Sequence, residues 1–202
     1  MPAKNRDLHG SVPDHSPVAL LLIDVINHLD FEGGDRLLEH ALPMAERLAA
    51  LKRRARAAGI PAIYANDNFG RWQSDFAKVL ERCRADGARG KPIADRLAPD
   101  ADDYFVLKPK HSGFYGTTLD ILLDYLEVDT LILAGLTADR CVLFTASDAY
   151  MRDFHLLVPA DCVASIDPAD NRAALAHMAR VLEADTREST TLELAHLTRR
   201  AA

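Results

Sequence analysis

Three polar residues stand where strand-forming runs give out, and together they could do nucleophilic chemistry. Asp24 follows the apolar run Val18 to Ile23, and Lys108 follows Tyr104 to Leu107. Cys141 lies just inside the helix-forming segment that comes after Thr130 to Ala134 and Gly135-Leu136-Thr137. A free thiol titrates near 8.5, so a neutral-pH nucleophile needs help. A helix entrance supplies partial positive charge, an ammonium would lower the thiol pKa further, and a carboxylate could take the thiol proton and later hand it to a leaving amine. Backbone N–H groups around Leu136, Thr137 and Cys141 are candidates for an oxyanion hole at the same helix end. Each residue also has an ordinary reading: a packed, inert cysteine, an aspartate that caps a turn, a solvated lysine. Spacing alone does not choose between them.

The elements around these residues decide whether they can meet. Val18 to Ile23 is apolar at every position, which suits a strand buried on both faces. Further strands are predicted at Ala62 to Ala65, Tyr104 to Leu107, Thr130 to Ala134 and His155 to Pro159, with a last short one near Thr186. Apolar residues at helical spacing predict helices over Leu37 to Ala58, Thr117 to Leu126 and Pro168 to Glu183, and composition predicts one over Ala138 to Arg152. Pro43 falls inside the first of these and predicts a bend or a broken first turn, while Gly59 and Pro61 form its stop. Asp75 to Arg84 is a further candidate helix, and a C-terminal helix is plausible. Asn66 to Gly70 reads as a loop by composition. In the long helix at 117 to 126, Ile121 and Leu122 are expected on the apolar side with Leu119, Leu123 and Leu126. Strands alternating with helices predict a three-layer α/β/α sandwich with a mostly parallel, doubly wound sheet of about six strands. Ligands of such sheets bind beyond the carboxyl ends of the strands, where the strand order switches. That is where Asp24, Lys108 and Cys141 would converge.

Composition narrows the alternatives. The chain has 202 residues, 49% of them hydrophobic and 27% charged, an ordinary globular balance. Residues 1–16 read as an N-terminal arm and 17–202 as one domain. A net charge of −6 argues against a phosphate-tracking nucleic-acid binder. The apolar runs are too short to cross a bilayer, and the polar start suggests a cytoplasmic protein. Three widely spaced cysteines, Cys83, Cys141 and Cys162, suggest neither a disulfide framework nor a metal knuckle. His28, His40, His111, His155 and His177 are scattered without ligand spacing and read as surface or packing residues, so no cofactor and no metal site is expected. Neither dinucleotide- nor mononucleotide-binding glycine motifs occur.

Three segments resemble the signature stretches of the isochorismatase-like cysteine hydrolases: Val18-Ala-Leu-Leu-Leu-Ile-Asp24, Lys108-Pro-Lys-His-Ser-Gly-Phe-Tyr-Gly-Thr117-Thr-Leu119, and Leu133-Ala-Gly135-Leu-Thr-Ala-Asp-Arg-Cys141-Val-Leu-Phe-Thr145-Ala-Ser-Asp-Ala149. Asn66-Asp-Asn-Phe-Gly-Arg-Trp72 is similar to a segment found in part of that superfamily. The resemblance spans roughly residues 17 to 185 in consistent order. It implies an α/β/α fold and an Asp-Lys-Cys triad, with Asp24 as base, Lys108 as the lysine and Cys141 as nucleophile. Lys110 competes for the lysine role, but Lys108 sits directly after the strand. The family's non-proline cis peptide would fall at Leu136–Thr137.

Two departures concern the substrate. Ile26 stands where the family's first motif commonly has Gln, which implies a more apolar wall beside Asp24. The segment from Asn66 to Trp72 has no histidine where nicotinamidases of the superfamily carry metal ligands, so nicotinamide loses weight as a substrate. Phe31, Phe69, Trp72 and Tyr115 are candidate pocket walls. The implied function is hydrolysis of a small amide- or ureide-type C–N bond through a Cys thioester. The alternatives are a vinyl-ether hydrolase of the isochorismatase type, which does not need the thiol, or a catalytically silent binding member of the fold. A small-molecule substrate and, by analogy with the family, a homo-oligomer (dimer or tetramer) are the expected partners.

Overall fold

A computed structural model describes residues 15–70 and 75–198, so the N-terminal arm before residue 15, and Trp72 among the pocket candidates, lie outside the described residues. Six strands form one parallel sheet in the order β3-β2-β1-β4-β5, with β6 also paired to β4. They are β1 (Val18–Ile23), β2 (Ala62–Asp67), β3 (Tyr104–Lys108), β4 (Thr130–Leu136), β5 (His155–Leu157) and β6 (Val163–Ala164). The helices are α1 (Gly34–Ala57), α2 (Phe76–Arg84), α3 (Lys91–Arg96), α4 (Leu119–Leu126), α5 (Leu143–Tyr150), α6 (Pro168–Val181) and α7 (Leu194–Leu197).

The all-apolar reading of β1 has a direct cause. Leu20 and Leu22 enter one core with α1, α2 and α3, while Ala19, Leu21 and Ile23 enter the opposite core with α4, α5 and α6. Alternate side chains of a strand point to opposite faces, so a sheet covered by helices on both faces demands apolar residues throughout. The chain runs outward from β1 through β2 to β3, then returns to β4 on the other side of β1. The order therefore switches between β1 and β4, and the carboxyl ends of these two strands border the crevice where such folds bind ligands.

Several elements differ from expectation. The first long helix begins at Gly34, a turn early, so Pro43 lies in its interior and does not break a first turn. Asn66 and Asp67, expected in a loop, extend β2 because Leu107 and Lys108 of β3 pair with them; tertiary pairing overrides their loop-like composition. Ile121 is 68% exposed. With Leu119, Leu123 and Leu126 buried at helical spacing, a residue two positions after Leu119 falls on the outer side of α4. In α6 the buried positions are Ala174 and Met178, and Val181 is exposed. The segment at 138 to 152 opens as a π-helical turn, Ala138–Val142, and only then becomes α5. Near Thr186 there is a single bridge, between Leu157 and Asp185.

Candidate active site

Asp24 is the first residue past β1, and its backbone turns left-handed there (φ 51°). Its N–H donates to the Ala65 carbonyl at 3.0 Å, while Asp24 Oδ1 accepts from the backbone N–H of Asp67 at 2.7 Å. The unexpected extension of β2 is thus what supplies this donor. Lys108 is the last residue of β3. Its Nζ lies 2.8 Å from Asp24 Oδ2 and 3.5 Å from Cys141 Sγ, and it donates to the Lys110 carbonyl at 3.2 Å. Those three partners match the three N–H bonds of an ammonium. Lys110 itself is exposed and enters the site only through its carbonyl.

Cys141 sits in the π-helical turn after β4. Single wide turns of this kind are rare in helices and frequent at functional sites. The Val142 N–H closes the wide turn on the Thr137 carbonyl at 3.1 Å. The peptide bond Leu136–Thr137 is cis. Thr145 Oγ1 donates to the Cys141 carbonyl at 2.6 Å and accepts from the Gly113 N–H at 3.0 Å. Ser112 Oγ donates to Asp148 Oδ2 at 2.5 Å. The loop that follows Lys108 is thereby fastened to α5 and to the turn that carries the thiol. On the other side of that turn, Ser165 Oγ donates to Asp139 Oδ1 at 2.6 Å.

The electrostatics follow from burial. Asp24 is 5% exposed and Lys108 is fully enclosed. Burial raises the Asp24 pKa above the usual carboxylate value, and its neighbours Lys108 and Cys141 and the Asp67 N–H only partly offset this. For Lys108, burial opposes the ammonium, but the Asp24 carboxylate beside it outweighs this and holds the group protonated. Burial, joined by the nearby Asp24 carboxylate, pushes the Cys141 thiol up to about 12. The resting sulfur is therefore a thiol, beside a carboxylate that is a stronger base than usual.

The pocket candidates are less gathered. Phe69, in a left-handed turn after β2, packs its ring 4.7 Å from that of His28. Phe31 is exposed on the loop before α1, and Tyr115 is 63% exposed on the loop after β3. Asn66 is buried, with Nδ2 donating to the Ile26 carbonyl at 2.6 Å. His111, read from sequence as a surface or packing residue, is on the surface but lies against the thiol, with Nδ1 3.6 Å from Sγ. The available signal was its place in the same strand-end loop as Lys108. Among the described residues, no group of three or more His, Cys, Asp or Glu side chains is placed to hold a metal ion.

A doubly wound α/β/α sheet, with thiol, ammonium and carboxylate at its carboxyl edge, is a layout fit for hydrolysis of a small substrate. The chain belongs to the isochorismatase family: it matches the family's Isochorismatase domain over residues 18–189. It is 42% identical over 176 residues to the uncharacterized isochorismatase family protein YaaI of Bacillus subtilis (strain 168), covering 87% of this chain and 96% of that protein. It is 30% identical over 191 residues to the ureidoacrylate amidohydrolase RutB of Methylobacterium radiotolerans, covering 82% of this chain and 74% of that protein. Among solved structures, N-carbamoylsarcosine amidase from Thermoplasma acidophilum superposes with a TM-score of 0.66 at 30% identity, over 87% of this chain and 98% of that one.

Proposed function

We propose that the protein hydrolyses a small amide- or ureide-type C–N bond through a thioester on Cys141. The observation that carries this reading is the contact of Lys108 Nζ with both Asp24 Oδ2 and Cys141 Sγ at the sheet's switch point. The names of two relatives, a ureidoacrylate amidohydrolase and an N-carbamoylsarcosine amidase, support the same bond class.

In the first half-reaction Asp24 takes the thiol proton as sulfur attacks the carbonyl carbon. The negative charge that develops on the carbonyl oxygen falls to backbone N–H groups of the turn from Leu136 to Cys141. Lys108 compensates the charge that passes between sulfur and Asp24. The tetrahedral intermediate collapses, the C–N bond breaks, and Asp24 returns its proton to the departing nitrogen. Preorganised donors of this kind are worth about 10²–10³-fold in rate each. Phe31, Phe69, Trp72 and Tyr115 are the proposed pocket walls, and the substrate is a small molecule.

Intact-mass spectrometry after incubation with a panel of primary amides and N-carbamoyl compounds tests the reading. The expected result is an acyl adduct on the wild-type chain, located on the Cys141 peptide, and none on Cys141→Ala. Turnover of any panel member by Cys141→Ala at the wild-type rate would refute the nucleophile.

A further inference from the structure

Cys141 Sγ is contacted from two sides. Lys108, paired with Asp24, reaches it from within the protein, whereas His111 reaches it from the solvent side with Nδ1 at 3.6 Å. The imidazole is not adrift there. Its ring lies 5.4 Å from that of Phe144 on α5. The residue after it, Ser112, is tied to Asp148 at 2.5 Å, and Gly113 is tied through Thr145 to the Cys141 carbonyl. The loop bearing His111 and the turn bearing the thiol are therefore held together by the same side chains. Water that attacks a thioester on Cys141 must come from the open side, and among the described residues His111 is the titratable side chain in contact with sulfur there. Asp24, by contrast, is enclosed and already accepts from Lys108 and the Asp67 N–H.

We propose that His111 is a further catalytic residue, the proton carrier of the second half-reaction. The inference rests on the thioester reading given above. With the amine gone, a water oxygen bonds to the acyl carbon and one water proton passes to the imidazole. The tetrahedral intermediate then expels sulfur: the C–S bond breaks and its electron pair stays on sulfur beside the Lys108 ammonium. The imidazolium returns its proton to sulfur. The products are a carboxylic acid, the Cys141 thiol and a neutral His111, so acyl-enzyme plus water balances. Imidazole suits the task because a ring nitrogen can accept a proton and later return it. Asp24 then serves acylation and His111 serves deacylation.

The test uses p-nitrophenyl acetate, which can acetylate Cys141 whatever the natural substrate is. In His111→Gln, Gln keeps polar contacts but cannot take up a proton and return it. The expected result is a burst of nitrophenolate at the wild-type rate followed by steady-state turnover about 10²-fold slower or more. The acetyl adduct accumulates by intact mass, and hydroxylamine, a nucleophile that needs no base, restores turnover. A variant in which burst and turnover fall together, or in which both are unchanged, overturns the proposal and leaves the thioester reading standing. If wild type and variant alike neither hydrolyse the ester nor carry acetyl on Cys141, both readings fail.

Discussion

Lys108 Nζ and Asp24 Oδ2 form an ion pair at 2.8 Å in which the lysine side chain is wholly enclosed. Removing one partner of such a pair strands the other charge in a poorly solvating site, at a cost of about 3–5 kcal/mol, whereas removing both can be close to neutral. Lys108→Met should therefore lower the urea midpoint sharply. The double variant Asp24→Asn/Lys108→Met should recover most of that stability. Neither should recover acetyl transfer from p-nitrophenyl acetate, which is expected to fall at least about 10²-fold in both. A double variant that regained stability and acyl transfer together would show that the pair serves only the fold.

Alkylation of Cys141 reports how its proton leaves. A thiol that reacts only as free thiolate alkylates about tenfold faster per pH unit below its pKa. With the Cys141 thiol pushed up to about 12, that route would be very slow at neutral pH. If Asp24 takes the proton during attack, the rate needs the ionised carboxylate instead. It should stay flat from about pH 7 to 9 and fall on acidification, at a pH above the ordinary carboxylate value because the Asp24 pKa is raised. Asp24→Asn should lose the plateau and regain the tenfold slope. Iodoacetamide labelling followed by peptide mass spectrometry checks this, with buried Cys83 and Cys162 as slow internal references. A tenfold slope in the wild type and no effect of Asp24→Asn would place the proton elsewhere.

Asp24, Lys108 and Cys141 were legible because each stands at or soon after the end of a strand with a strong local signature, and a parallel sheet brings such ends to one edge. The two-core arrangement was legible for the same reason: β1 has no polar position to spend on solvent. What escaped reading depends on partners distant in the chain. Asn66 and Asp67 have loop-like composition, and only pairing with Leu107 and Lys108 makes them strand, so the Asp67 N–H that orients Asp24 was invisible. His111 meets the thiol because Ser112 and Thr145 bridge its loop to α5, a contact that no periodicity encodes. β6, two residues long, is too short to show a period.

Gly135 lies where β4 passes the end of β1, between the Leu136–Thr137 bond on one side and Asp24 on the other. Its φ is 119°, and a Cβ placed there would sit 2.1 Å from the Ile23 carbonyl oxygen and 2.9 Å from the Ile23 nitrogen. Both are backbone atoms, so no rotamer change relieves the overlap, and Gly135→Ala must push β1 and β4 apart. Gly59 separates conformation from space: its φ is 74°, but a Cβ there meets nothing within 4 Å. Gly59→Ala should cost only the left-handed backbone penalty, about 1 kcal/mol. Gly135→Ala adds displaced strands and should cost roughly 3 kcal/mol or more, about 6–12 °C in Tm at about 2–4 °C per kcal/mol for a chain of this size. Because the displaced strands carry Asp24 and lead into the Cys141 turn, Gly135→Ala should also slow acetylation of Cys141, while Gly59→Ala leaves it unchanged. Thermal unfolding together with the p-nitrophenyl acetate assay separates the two, and equal effects of both substitutions would mean that the close approach at Ile23 does not govern the site.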